Sequence, residues 1–287
     1  MPVAGEPLIR RIVASLVAQG VTEIVMNLHH RPDTITAVVG HGRDLGARVR
    51  YSWEQPVILG SAGGPRWALP VLAPDAGTCL IVNGDTLTDV DVAALVGHHS
   101  GSGARVTMAV VPNREFERYG GVQLDEDGRV TGFTTRGPDA RGSWHFIGVQ
   151  AAHTSVFEPL AEGRPVSTIG GVYDQLVKTQ PGAVQGFRCD AQFWDVGTAW
   201  DYWRTSQDLM KRDGRPSIGR GARIHDTARV AGSILWDNVE IGPEASVVDC
   251  IITDGVHVPA GAMYERTIVS RRADTADLIV TPFDFRT

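Results

Sequence analysis

Thr78-Cys79-Leu80-Ile81-Val82-Asn83-Gly84-Asp85 is a continuous apolar run closed by a turn and a carboxylate. Such a run, without polar alternation, reads as a strand buried on both faces. The flanking segments support that reading. Leu8, Ile9, Ile12, Val13, Leu16 and Val17 form one helical stripe, with Gly20 placed as a C-cap. Val21–Leu28 and Ala47–Trp53 read as strands, Pro32–Val39 as a helix, and Gly64–Leu72 as a short helix. Val90–His98 is helical and Ala104–Val111 again a strand. Strands alternating with helices predict an α/β fold: a Rossmann-like, mainly parallel sheet with flanking helices. Past Pro112 shorter strands follow (Gly121–Leu124, Val130–Phe133, Phe146–Ala151, Val184–Phe187), with helices at Ile169–Lys178 and Thr198–Lys211.

From Ile218 onward the period changes. Ile218, Ile224 and Val230 recur every six residues beside Gly219, Gly221, Ala222 and Ala228. Val239, Ile241, Val247, Ile251, Val256 and Val258 continue the pattern with slips in register. This predicts a short left-handed parallel β-helix of hexapeptide repeats, about three coils long; an irregular β-sandwich is the alternative. Lys211–Pro216 reads as a linker, so the expected domains are 1–213 and 214–287, the second ending in a docking tail from Arg271.

The 287 residues, 43% hydrophobic and 21% charged, are an ordinary globular composition. A net charge of −6 without a basic cluster argues against nucleic acid as a partner. Cys79, Cys189 and Cys250 lie far apart, which argues against a disulfide framework or a thiolate zinc site. No apolar stretch approaches the roughly 20 residues of a membrane span, and the first residues carry no basic segment followed by an apolar core. The expected location is cytoplasmic.

Two carboxylates stand out. In open parallel sheets ligands bind beyond the carboxyl ends of the strands, where Asp85 is expected. Asp195, in Phe193-Trp194-Asp195-Val196-Gly197-Thr198, lies between a strand and a helix. Hard carboxylate oxygens from different elements suit a magnesium ion held against phosphates. The plain alternatives are a turn role for Asp85 and helix capping by Asp195 or Thr198. Leu59-Gly60-Ser61-Ala62-Gly63-Gly64 is a glycine-rich turn that lets a flat ligand or a phosphate approach the backbone. Arg118-Tyr119-Gly120-Gly121-Val122 is a second such turn.

Taken in order, Pro2–Leu8, Leu59–Gly64, Val82–Thr86, Tyr119–Val122, His145-Phe146-Ile147-Gly148-Val149 and Trp194–Thr198 resemble the sugar-1-phosphate nucleotidylyltransferases, particularly the mannose-1-phosphate guanylyltransferase-like proteins. The resemblance implies transfer of a nucleotidyl group from a nucleoside triphosphate, GTP favoured, to a sugar 1-phosphate, mannose 1-phosphate favoured. It implies Gly60, Ser61, Ala62, Gly63 and Asp85 at the nucleotide, and Gly121, Arg136 and Gly148 at the sugar. Asp85 and Asp195 would hold Mg²⁺. The family's signature loop, G-x-G-T-R with a following Pro-Lys pair, has no counterpart here, and Val3-Ala4-Gly5-Glu6-Pro7 carries an acid where a Lys is usual. No catalytic residue is therefore assigned. Two expectations follow: a reading frame that extends upstream, or a non-catalytic sugar-nucleotide-binding or regulatory subunit. The second would be a homo-oligomer or pair with a full-length transferase through its C-terminal domain. Gly219-Arg220-Gly221-Ala222-Arg223 superficially fits the loop but reads as coil turns. The rival enzyme class is a hexapeptide acyltransferase, with His225 or His257 as candidates.

Overall fold

A computed structural model describes residues 1–72, 77–272, 275 and 277–283. The chain forms two compact units. One is Ile12–Phe193; the other joins Met1–Arg11 to Trp194–Thr287. The labelled elements run α1 (Leu8–Ala18), β1 (Glu23–Leu28), α2 (Pro32–Val39), β2 (Arg48–Trp53), α3 (Gly60–Ala68), β3 (Thr78–Val82), α4 (Val92–Ser102) and β4 (Val106–Pro112). They continue with β5 (Gly121–Leu124), β6 (Val130–Thr134), β7 (Trp144–His153), α5 (Tyr173–Thr179), β8 (Val184–Arg188) and α6 (Ala199–Asp213).

The 12–193 unit has the expected α/β architecture, a central sheet with flanking helices. Strand directions within it are mixed. β1 pairs in parallel with β2, and β8 in parallel with β4. β7 runs antiparallel to β4 along one edge and shares its other edge between β3 and β5. The reason lies past Pro112: short hairpin-connected strands such as β5 and β6 pair antiparallel, and β7 carries that direction into the core. β4 lies between β8 and β7. Val106 to Val111 are all buried, alternate residues facing opposite sides. Val106, Met108 and Val110 meet Phe157, Tyr173 and Leu176 on one face. Ala109 and Val111 meet Leu95, Ile147 and Val149 on the other.

Two helix starts differ from the expected ones. α3 begins at Gly60, four residues before the expected Gly64, because the glycine-rich turn is itself the first helical turn. α5 begins at Tyr173, not Ile169, because Gly170 adopts φ 77° and breaks the helical path.

The second unit contains a parallel β-helix. Three short parallel ladders form its faces: Arg223/Glu240/His257, Arg229/Ser246/Met263 and Ile234/Ile251/Ile268. Partners sit 17 residues apart, one short of three hexapeptides, which is the source of the slips in the sequence pattern. Corner residues recur in the left-handed region at the same interval: Gly221, Asn238 and Gly255 at one corner, Gly232, Asp249 and Arg266 at another. Inside, Val239 stacks with Val256, and Leu235 with Ile252 and Val269. Leu278–Pro282, part of the expected docking tail, pairs antiparallel with Thr267–Arg271 and so extends the last coil's face. Residues 273, 274, 276 and 284–287 of that expected tail lie outside the described residues.

Arg11 ties the first residues to this unit. Its guanidinium, 11% exposed, donates to the Val3 carbonyl at 2.8 Å, the Ala4 carbonyl at 3.2 Å and Asp213 Oδ2 at 2.7 Å. That hydrogen bond holds the Asp213 carboxyl below the usual carboxylate range. Arg11→Ala would leave two carbonyls without this donor and Asp213 with Arg212 as its remaining cation, and should cost about 1–3 kcal/mol of stability by urea unfolding.

His99, on α4, is 3% exposed, and its Nδ1 lies 2.8 Å from Thr107 Oγ1 on β4. Burial, and the neighbouring His153 and His98, hold its pKa below the ordinary histidine value. A lowered folded pKa means the folded state prefers the neutral ring. The contribution is therefore complete above about pH 6.5 and is lost as pH falls below it. Unfolding curves between about pH 8 and pH 5 should show that loss, and His99→Gln should flatten it.

Candidate functional site

The glycine-rich turn is gripped by the protein. Ala62 and Gly63 donate their amides to the Val166 carbonyl at 2.9 and 3.1 Å, and Val166 N returns a bond to Leu59 O. Ser61 Oγ lies 2.9 Å from Thr168 Oγ1 and accepts from Thr168 N at 2.8 Å. A Cβ on Gly60 would come within 2.9 Å of Val166 O, and one on Gly63 within 2.5 Å of Arg164 O. The small residues expected to admit a ligand thus first admit the 164–168 backbone. Gly60 and Ser61 remain exposed.

Glu54 follows β2 and is 6% exposed. Its Oε2 accepts from Leu59 N at 2.7 Å, and its Oε1 from Asn27 Nδ2 at 3.1 Å. Neither Glu54 nor Asn27 was singled out in the sequence. An acid after a strand is too common a pattern to carry that signal.

Asp85 lies exposed just past the end of β3, as expected. Its Oδ1 accepts from the neighbouring Thr86 hydroxyl at 3.3 Å. The approach to it is set by Gly148. β7 breaks register between Phe146 and Gln150, and Gly148 in that break has φ 78°. Its carbonyl accepts from Asn83 N at 2.8 Å, and a Cβ there would press within 3.0 Å of Asn83 Cβ. The structure therefore brings Gly148 and the Asn83–Asp85 turn together. Gly121 is buried against Ser143, whose Cβ lies 2.6 Å from where its own would be. Close packing within the protein accounts for that glycine. Arg136 is exposed just beyond β6.

Tyr119 and His145 pack with ring centroids 4.1 Å apart and planes tilted by 32°, His145 lies 4.8 Å from Phe193, and the Arg118 guanidinium sits over Tyr119 at 4.7 Å. The sequence reading picked out the neighbouring glycines and passed over these rings.

Asp195 belongs to the other unit. Its Oδ1 accepts from Gly197 N at 3.0 Å, and its carbonyl accepts from Thr205 Oγ1 at 3.0 Å. Helix capping falls to Thr198, whose hydroxyl accepts from Asp201 N. Trp203 Nε1 donates to Gly232 O, and Tyr202 is buried, accepting from Trp236 Nε1. Arg220 lies in a coil turn, its amide bonded to Asp237 Oδ1. His225 and His257 are exposed, one beside Thr227 and the other beside Glu240.

Among the described residues no group of three or more His, Cys, Asp and Glu is gathered to hold a metal. Mg²⁺ does not demand one, since it commonly takes one or two carboxylates and completes its shell with water and phosphate oxygens. The hard oxygens of Asp85 and Asp195 suit it in kind. No helix of the described residues is long and apolar enough to cross a membrane.

The nucleotidyl transferase family model matches residues 1–212. The chain belongs to that family. A GlmU-like C-terminal hexapeptide model matches residues 215–277, in keeping with the β-helix. Among similar family members is mannose-1-phosphate guanylyltransferase of Mycobacterium tuberculosis, 30% identical, the match spanning 93% of this chain and 76% of that protein. Another is D-glycero-alpha-D-manno-heptose 1-phosphate guanylyltransferase of Aneurinibacillus thermoaerophilus, 29% identical over 73% of this chain and 87% of that one. The solved structure of HddC from Yersinia pseudotuberculosis shares the fold, with TM-score 0.63 and 22% identity over 73% of this chain and 88% of that one.

Gly148→Ala should push Asn83 and tilt the turn that carries Asp85. The expected cost is about 1–3 kcal/mol in thermal or urea unfolding, from a side chain at positive φ and from the contact itself.

Proposed function

We propose that the chain transfers a nucleotidyl group from a nucleoside triphosphate, GTP favoured, to a sugar 1-phosphate, mannose 1-phosphate favoured. The observation that carries this reading is the match to the guanylyltransferase of Mycobacterium tuberculosis across 93% of this chain. The heptose 1-phosphate guanylyltransferase likeness supports the same nucleotide and leaves the sugar open to test.

In the proposed reaction an oxygen of the sugar phosphate attacks the α-phosphorus in line. The bond to the bridging oxygen of the β-phosphate breaks, and pyrophosphate leaves with that electron pair. Catalysis is then positioning and charge neutralisation. The exposed Gly60 and Ser61 would border the base, with Ala62 and Gly63 fixing the turn beneath them. Gly121, Gly148 and Arg136 would serve the sugar phosphate, Arg136 as a cation. Asp85 and Asp195 are the proposed Mg²⁺ ligands. The ion, when bound, would supply positive charge against the phosphate oxygens.

The test is pyrophosphate release from the purified chain with Mg²⁺, each common nucleoside triphosphate and a panel of sugar 1-phosphates. GTP with mannose 1-phosphate should give the highest kcat/KM, and chelation should abolish turnover. Asp85→Asn and Asp195→Asn should each lower kcat by about 10²–10³-fold, comparable to losing one preorganised electrostatic contact. Absence of pyrophosphate with every pair would overturn the proposal.

A further inference from the structure

We infer that Glu54 is a positioning residue for the nucleotide: its carboxylate holds the Leu59–Gly63 backbone where the base is bordered. This rests on the transferase reading proposed above.

Three observations carry it. First, Glu54 is buried, and among the described residues no cation pairs with it. A buried anion without a cation is expensive to maintain unless its oxygens are needed as acceptors. Here both are used, Oε2 by the Leu59 amide and Oε1 by the Asn27 side-chain amide. A glutamine could keep the Leu59 amide on its one carbonyl oxygen, but its NH₂ would need the Asn27 amide to flip and accept, and both bonds would lose their charge-assisted strength.

Second, α3 is seated directly on this carboxylate. A Cβ on Gly64 would come within 2.5 Å of Glu54 Oε1 and 2.8 Å of Asn27 Nδ2. Gly64 is thus the contact surface for the Glu54–Asn27 pair. The Glu54 carbonyl in turn lies 2.7 Å from His29 Nδ1, tying the residue to the segment after β1.

Third, the turn is also fixed by Val166 O, which accepts the Ala62 and Gly63 amides, and by Thr168, whose amide donates to Ser61 Oγ and whose hydroxyl lies beside it. Glu54 and Val166 thus both hold the turn, sharing Leu59, and leave Gly60 and Ser61 exposed. Releasing Glu54 leaves the Leu59 amide without its acceptor, while the Leu59 carbonyl and the Ala62 and Gly63 amides stay bound to Val166. The consequence should fall on the nucleotide and not on the sugar phosphate.

The experiment is steady-state kinetics of the full chain with Mg²⁺, GTP and mannose 1-phosphate, paired with hydrogen exchange of the nucleotide-free protein. Glu54→Gln should raise KM for the triphosphate about tenfold, the equivalent of one charge-assisted hydrogen bond, with kcat and KM for the sugar phosphate within about twofold. Exchange should quicken in the peptide covering 59–63 and stay unchanged in the core strand at 106–111. Gly64→Ala, which displaces the same carboxylate from the helix side, should raise the same KM, and it serves as the test if Glu54→Gln does not fold. An active wild type whose triphosphate KM is unmoved by the folded variants, or variants in which kcat and both KM values shift together, would overturn this inference alone. A wild type that turns over no triphosphate would instead bring down the transferase reading, and this inference with it.

Discussion

One strand cannot hydrogen-bond three neighbours in a single register, and β7 is asked to do so. Along Trp144–His153 it pairs with β4 on one side, and with β5 and then β3 on the other. A continuous pleat would fix all three partners at once and leave no freedom to aim the end of β3. The register break between Phe146 and Gln150 separates the two jobs. Gly148, at φ 78°, turns its carbonyl to the Asn83 amide, so the backbone that ends β3 is fixed by the same residue that lets β7 change partners. Bulges are used this way to re-aim backbone beside functional sites. The position of Asp85 is thus a consequence of strand pairing, inherited from a core that would be built the same way without it.

The glycines of the candidate site divide by what they touch. Gly60, Gly63, Gly64, Gly121 and Gly148 each lie where a Cβ would crowd another part of the chain. Their smallness is demanded by packing before any ligand is considered. This does not oppose a binding role. A turn held by both Val166 and Glu54 loses little entropy when a ligand arrives, and that preorganisation is worth more to affinity than an open flexible loop.

Legibility in the sequence tracked how local each determinant was. Strands such as Thr78–Val82 and helices such as Pro32–Val39 were read with their boundaries intact, because period and turn residues act over a few positions. The antiparallel course of β7 was not legible, since partner choice is decided by residues far apart in sequence. The β-helix was visible through its apolar period, while its 17-residue coil appeared only as slips. At the site, Asp85 stands out as a carboxylate after an apolar run, while Gly148 is reached only through the family resemblance of His145–Val149. Glu54 and Asn27 do not stand out, because their meaning arises only when α3 is laid across the ends of β1 and β2.

The shortened coil explains why the β-helix carries polar groups inside without paying for them. Dropping one residue from each set of three hexapeptides places Ser233, Cys250 and Thr267 at equivalent positions of successive coils. Ser233 Oγ accepts from Cys250 N at 3.0 Å and donates to Val247 O, and Cys250 Sγ lies 3.5 Å from Thr267 Oγ1. A tight corner exposes backbone amides to the interior that the ladders on the three faces do not reach. Ser233 Oγ satisfies one such amide, Cys250 N, and Cys250 Sγ carries the column on to the Thr267 hydroxyl. Larger apolar residues at that corner would fill the space and leave Cys250 N unpaired. The departure from strict hexapeptide spacing and the Ser-Cys-Thr column are therefore two expressions of one geometric requirement.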